Sequence, residues 1–237
     1  MFTKHIIRLE SVDSTNTYLK QLAAQGAPEG TAVIAAAQTA GRGTGDRSFF
    51  SPAEEGLYLS VLLRPKAELA QLLTLTGRAA VAVRTAVEKA CGAPCRIKWL
   101  NDIYLNGKKL CGILAELSPT GDWVVIGVGV NVSQSRESFA AQGLSGIATS
   151  LAAEGYPVTR EELEQCVLAE LAAMYRQFPE GLAECLAEYR THCLTVGGQV
   201  EYTENGVART GTATGVDEDF ALVVDGRPVR AGTVYLK

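Results

Sequence analysis

At 237 residues, the chain is long enough to bury a hydrophobic core without disulfide or metal staples, as one large domain or a large domain with a small companion. Hydrophobic residues make up 47% and charged residues 20%, and the formal net charge is −4. That balance excludes general adhesion to nucleic acid or to an anionic membrane, so any polyanion site must be local.

The opening MFTKHIIRLE lacks the apolar core of a secretory signal, and no apolar run approaches the roughly 18 residues of a membrane span. The expectation is a cytoplasmic protein without membrane contact. Cys91, Cys95, Cys111, Cys166, Cys185 and Cys193 contain no C-x-x-C pair, and the only histidines are His5 and His192. Reduced, mostly buried thiols are expected, and no structural metal.

In chain order, HIIRLE (5–10) reads as a strand. DSTNTYLKQLAAQG follows, with Ser14 or Thr15 placed to cap a helix that buries Tyr18, Leu19 and Leu22 and ends at Gly26. TAVIAAAQ (31–38) is a small buried strand, and LYLSVLLRP (57–65) is another, stopped by Pro65. Residues 67–91 predict one long helix, because Leu69, Leu72, Leu73, Thr76, Ala80, Val83 and Val87 recur at three and four.

Within RIKWLNDIYLNGKKLCGILAEL (96–117), Asn106-Gly107 between alternating runs predicts a hairpin, since both residues tolerate positive φ. WVVIGVGVNV (123–132) is a glycine-punctuated central strand. Residues 158–178 are helical, with a Thr159/Glu162 capping box, and a second helix runs from about Glu180 to Cys193. After VGG (196–198) the texture becomes short glycine-separated strands, suggesting a small barrel. The chain thus divides into an α+β domain over 1–190 and a β-rich domain over 191–237.

Three places offer chemistry, and each has a plain structural alternative. QTAGRGTGDRSFFSP (38–52) is a glycine-rich loop with two guanidinium groups, which repel each other until something negative arrives. It is neither a Walker loop nor a Rossmann fingerprint, and taken alone it also fits a mobile surface turn. Lys98 and Lys109 flank a hairpin holding Asn101 and Asp102; solvated charges and an Asx turn would explain them equally. Ser14, Thr15 and Asn16 are hydrogen-bonding groups at a helix start, where capping alone would account for them.

Order and spacing say more than any one signal. DSTN, then QTAGRGTGDRSFFSP and GLYLSVLLRP, then KWLNDIYLNGKKLCGIL, then GVGVNV resembles the biotin–protein ligases over roughly residues 8–132. The tail containing GTATGVDEDFALVV is similar to that family's C-terminal SH3-like domain. The resemblance implies a mixed-sheet catalytic domain of the class II aminoacyl-tRNA synthetase and biotin-ligase kind, followed by a small SH3-like barrel.

It also implies roles. Ser14, Thr15, Asn16 and Gln38 would line the biotin pocket, with Gly41, Arg42, Gly43 and Thr44 in the loop that folds over biotin and the adenylate. Lys109 would meet the biotin carboxylate and the α-phosphate, and Asp102 would serve nucleotide handling or the acceptor lysine. Gly112 and residues 127–131 would form pocket wall and floor. Nucleotide contacts would fall to Arg42, Arg47, Phe49, Lys98, Asn101, Lys109 and Asn131. Two departures stand out. Thr44 replaces an arginine common in the family and removes a charge from the adenylate clamp, and Leu100 replaces a proline.

The implied reaction has two halves: biotin and ATP give biotinyl-5′-AMP and pyrophosphate, and a lysine of a biotin carboxyl carrier domain then takes the biotin. Mg²⁺ would travel on the ATP phosphates without a protein cage. The loop would order only when the carboxylate–phosphate anion arrives, excluding water from a reactive anhydride. The nearest alternative is lipoate or octanoate transfer, but the arginine-rich RRxSGGG segment of lipoate ligases is absent here. A transcriptional regulator is disfavoured, because the catalytic pattern begins within the first fifteen residues. A biotin sensor without catalysis is disfavoured by the presence of both Arg42 and Lys109. The resemblance allows a homodimer as well as a monomer.

Overall fold

The computed structural model describes residues 5–45, 47–204, 207–230, 232 and 234–236. The chain runs β1 (His5–Val12), α1 (Thr15–Ala24), β2 (Thr31–Gln38), β3 (Gly56–Leu63), α2 (Leu69–Leu73), α3 (Leu75–Cys91), β4 (Arg96–Lys98), β5 (Asp102–Leu105), β6 (Lys108–Leu117) and β7 (Val124–Asn131). It continues through α4 (Arg136–Ala141), α5 (Arg160–Arg176) and α6 (Leu182–His192) to the strands β8 (Gln199–Glu204), β9 (Val207–Val216), β10 (Leu222–Val224), β11 (Arg227–Val229) and β12 (Val234–Leu236).

Strands β1–β7 form one mixed sheet in the order β1-β2-β3-β7-β6-β5-β4, parallel only between β1 and β2. The strand period of two sorts its side chains. Leu57, Leu59, Val61 and Leu63 of β3 join Ile126, Val128 and Val130 of β7 against Val83 and Val87 of α3 and Leu163, Val167 and Leu171 of α5. On the other face, α1 covers only part of the sheet, packing Leu19 and Ala23 on Val33, Leu62 and Val125. The remainder of that face is left open, and there the residues are small or polar.

Strands β8–β12 form a five-stranded antiparallel sheet in the order β11-β10-β9-β8-β12, the SH3-like unit. It is fastened to the first sheet by named bonds. The Trp99 indole N–H donates to the Phe220 carbonyl at 2.7 Å, and the Trp99 amide donates to Thr195 Oγ1 at 3.0 Å. The Phe220 ring meets Tyr189 edge-on at 5.1 Å and lies where a Cβ on Gly77 of α3 would be.

Two sequence expectations change. The helix expected over 67–91 is two helices, because Thr74 gives both its amide (3.0 Å) and its hydroxyl (2.6 Å) to the Gln71 carbonyl, tightening the backbone there. Leu69 and Leu73, counted on the apolar face, therefore lie exposed. Helix α4, capped by the Ser135 hydroxyl accepting from the Ser138 amide, was not foreseen. The cysteines are free; Cys95, Cys111 and Cys193 are buried, and the other three are half-buried. Among the described residues, no helix is long and apolar enough to cross a membrane, and no His/Cys/Asp/Glu cluster suits a metal ion.

Candidate active site

A cavity of about 670 Å³, open mouth included, lies on the uncovered face of the first sheet. Its floor is a registered row: Tyr58 of β3 pairs with Gly129 of β7, Gly129 with Gly112 of β6, and Gly112 with Asp102 of β5. Glycine is needed at 129 and at its neighbour in the strand, 127. A Cβ on Gly129 would come within 2.6 Å of the Phe49 ring, and one on Gly127 would overlap Asn16 Oδ1.

One wall is the start of α1. Ser14 holds the N-cap position but makes no side-chain cap bond, so capping does not explain DSTN. Instead, Thr15 and Asn16 turn onto the sheet, where Ser60 Oγ lies 2.8 Å from Thr15 Oγ1 and 2.6 Å from Asn16 Oδ1. The Gln38 side-chain carbonyl accepts from the Thr15 amide at 2.9 Å, and its NH₂ donates to Ser51 Oγ. This wall is neutral and rich in hydrogen-bonding groups.

The opposite end is cationic. Lys109 Nζ stands 2.7 Å from Asp102 Oδ1. The Lys109 backbone is pinned on its outer side by bonds to Ile147 and Thr149. The glycine-rich loop crosses the mouth as a tight turn, closed by Gly43 N–H to the Arg47 carbonyl (2.7 Å) and Phe49 N–H to the Gly41 carbonyl (2.8 Å). Asp46 lies outside the described residues. The Arg42 guanidinium sits 2.9 Å from Glu116, which also takes Lys20 at 2.6 Å. Burial pushes the Glu116 carboxyl up, but hydrogen bonds from Lys20 and Asn16 and the charges of Lys20 and Arg42 outweigh it and hold the group below its ordinary range.

The structure therefore gathers Ser14, Thr15, Asn16, Gln38, Arg42, Gly43, Thr44, Arg47, Phe49, Asn101, Asp102, Lys109 and Gly112 around one cavity. Gly41 lies just beneath, where a Cβ would crowd Ser51 Oγ at 2.6 Å. Lys98 opens instead into an adjoining cavity, which shares Thr44, Arg47, Asn101 and Asp102 and reaches Val234 of the second sheet. Burial lowers the Lys98 pKa, and its ammonium rests over the Tyr104 ring at 5.5 Å. Asn131 lines neither cavity; it is buried and donates to the Thr149 carbonyl at 2.9 Å. Thr44 accepts from Asn101 Nδ2 at 3.2 Å.

Sequence reasoning passed over Ser60, Glu116, Lys20 and Ser51. Ser60 carried a readable signal, a lone hydroxyl inside the apolar run LYLSVLL. Glu116 becomes visible only once the register places it on the same face as Gly112 and Leu114.

A cavity with hydrogen-bonding groups at one end and cations at the other suits a small acid joined to a phosphate. The profile of the biotin/lipoate A/B protein ligase family matches residues 9–132, the stretch containing every residue of that cavity. The class is thus the protein ligases of biotin and lipoate. The chain is 36% identical over 227 residues to a bifunctional ligase/repressor of Bacillus subtilis, covering 94% of this chain and 70% of that one. It is 34% identical over 218 residues to a biotin–[acetyl-CoA-carboxylase] ligase of Mycobacterium tuberculosis, covering 90% and 80%. A biotin protein ligase of Aquifex aeolicus, solved with biotin and ATP, superposes with a TM-score of 0.82 at 30% identity over 99% of both chains. The chain belongs to the biotin–protein ligase family.

Proposed function

We propose that this chain joins biotin to ATP as biotinyl-5′-AMP, releases pyrophosphate, and passes the biotinyl group to one lysine of a biotin carboxyl carrier domain. The observation that carries this reading is the polarity of the cavity. The neutral Ser14–Thr15–Asn16–Gln38 wall suits a ureido ring, and Lys109, beside Asp102 at the other end, suits the point where a carboxylate and a phosphate would meet.

In the first half-reaction, two anions must approach, so the protein's work is charge neutralisation and alignment. Lys109, held at 2.7 Å by Asp102, presents a fixed ammonium to both. Arg42 rests on Glu116 beside the Asn16 wall and joins Lys109 only by leaving that carboxylate. Arg47, Lys98 and Asn101 extend the cationic path into the adjoining cavity and suit the remaining phosphates. The donors facing these cavities are mainly cations, amides and hydroxyls, so Mg²⁺ enters as part of the MgATP substrate, held by phosphate and water. Phe49, packed over Gly112 and Gly129, keeps water from the anhydride.

In the second half-reaction, Asp102 orients the incoming amine or takes its proton. Residues 1–190 form the catalytic domain and 191–237 the SH3-like domain in this reading. Six free cysteines and an ATP substrate favour a cytoplasmic setting. The test is transfer: with biotin, MgATP and a carrier domain, mass spectrometry should find one biotinyl group on one carrier lysine, and Lys109→Met should abolish it. A carrier left unmodified by the unaltered protein would refute the proposal.

A further inference from the structure

Behind the Thr15–Asn16 wall runs a chain of hydrogen bonds whose direction can be settled by counting hydrogens. Asn16 Nδ2 lies 2.9 Å from Glu116 Oε2 and 3.2 Å from the Leu114 carbonyl. Both partners only accept, the first being an ionised carboxylate and the second a backbone oxygen. The two amide hydrogens of Asn16 are therefore spent there, and its Oδ1 faces Ser60 Oγ at 2.6 Å. Ser60 must give its single hydrogen to that oxygen.

Ser60 Oγ also lies 2.8 Å from Thr15 Oγ1. Its own hydrogen being used, the hydrogen in this contact comes from Thr15. Among the described residues, the only competing acceptor is Gln38 Oε1, more distant at 3.2 Å and already holding the Thr15 amide. In either case the Thr15 hydrogen points into the protein. Ser60 is fully buried, and Thr15 and Asn16 are each 4% exposed, so water cannot reset the direction. Thr15 lines the cavity, and its hydroxyl, with its hydrogen committed, has only lone pairs to offer a ligand.

We infer that Glu116, Asn16 and Ser60 are positioning residues that fix Thr15 as an acceptor only, so the cavity selects an acid whose head group brings an N–H to that point. The inference rests on the proposed function and deepens it. A ureido ring supplies two N–H donors, whereas a dithiolane ring or a plain alkyl chain supplies none. A site built around a polar partner discriminates against a ligand lacking it more sharply than shape alone can.

The experiment is calorimetric titration of the full chain with biotin and with the two cyclic carbamates in which one or the other ureido N–H is replaced by a ring oxygen. The unaltered protein should bind biotin at least ~tenfold more tightly than one of the carbamates. Ser60→Ala frees the Thr15 hydrogen, so that ratio should fall toward one. Thr15→Val, an isosteric change at the wall itself, should bring the ratio near one even if Ser60→Ala fails to fold. Biotin binding without discrimination in the unaltered protein, or an unchanged ratio in either folded variant, would overturn this inference alone. No biotin binding by the unaltered protein would overturn the proposed function together with it.

Discussion

Gly127→Ala puts the site geometry to a quantitative test. A Cβ at this position would overlap Asn16 Oδ1 and come within 2.8 Å of Asn16 Cγ. Asn16 cannot yield in place, because its NH₂ is held by Leu114 and Glu116 and its oxygen by Ser60. The added methyl must expel the side chain. Three hydrogen bonds at about 1 kcal/mol each are then at risk, and forced overpacking adds about 1–3 kcal/mol. The relief of replacing a strand glycine returns about 0.5–1 kcal/mol. With partial relaxation, the expected net loss is about 2–4 kcal/mol by urea unfolding, with biotin affinity falling ~tenfold or more as the Thr15 wall shifts. Gly215, in β9, has nothing within 4 Å of its would-be Cβ, and Gly215→Ala is the matched control, expected to be near neutral. A Gly127→Ala protein within about 0.5 kcal/mol of the parent, with unchanged biotin affinity, would refute the packing argument.

Three further outcomes follow from the same geometry. Glu116→Gln removes a carboxyl whose folded pKa is held below its ordinary value, so the parent's stability advantage should be full above the unfolded pKa of about 4.3 and shrink as pH falls through the folded one. Urea midpoints at neutral and acid pH measure this, and a gap that widens in acid would contradict it. Asp102→Asn should slow transfer to the carrier by about 10²-fold; transfer at the normal rate would remove Asp102 from the chemistry. Gly77→Ala drives a methyl into the buried Phe220 ring at the junction of the two sheets. At about 2–3 kcal/mol of overpacking, the thermal midpoint should drop by about 5–10 °C, and an unchanged midpoint would show that the junction is loose.

Much of this fold could be read in advance, where local chemistry decides. Asn106 and Gly107 both take positive φ in the β5–β6 hairpin, and Thr159 and Glu162 form the expected capping box. The break at Thr74 was hidden, because an apolar period runs through it and only a hydroxyl's choice of carbonyl makes it. The cavity residues were readable through the family pattern, since the loop, the Asp102–Lys109 hairpin and the DSTN segment are contiguous in sequence. Glu116 and Ser60 were not, because their roles depend on which strands lie side by side. Strand register brings Ser60, Gly127 and Leu114 into one row, and no periodicity within a single strand reveals that. Asn131 shows the converse, a residue assigned by pattern whose side chain the fold turns toward Thr149.

The most direct test of the account is ATP–pyrophosphate exchange with the purified chain, offered biotin, lipoate or octanoate in turn. The Thr15 wall and the Lys109 end predict exchange driven by biotin and by neither of the other acids. Exchange driven by lipoate or octanoate, or by none of the three, would contradict it.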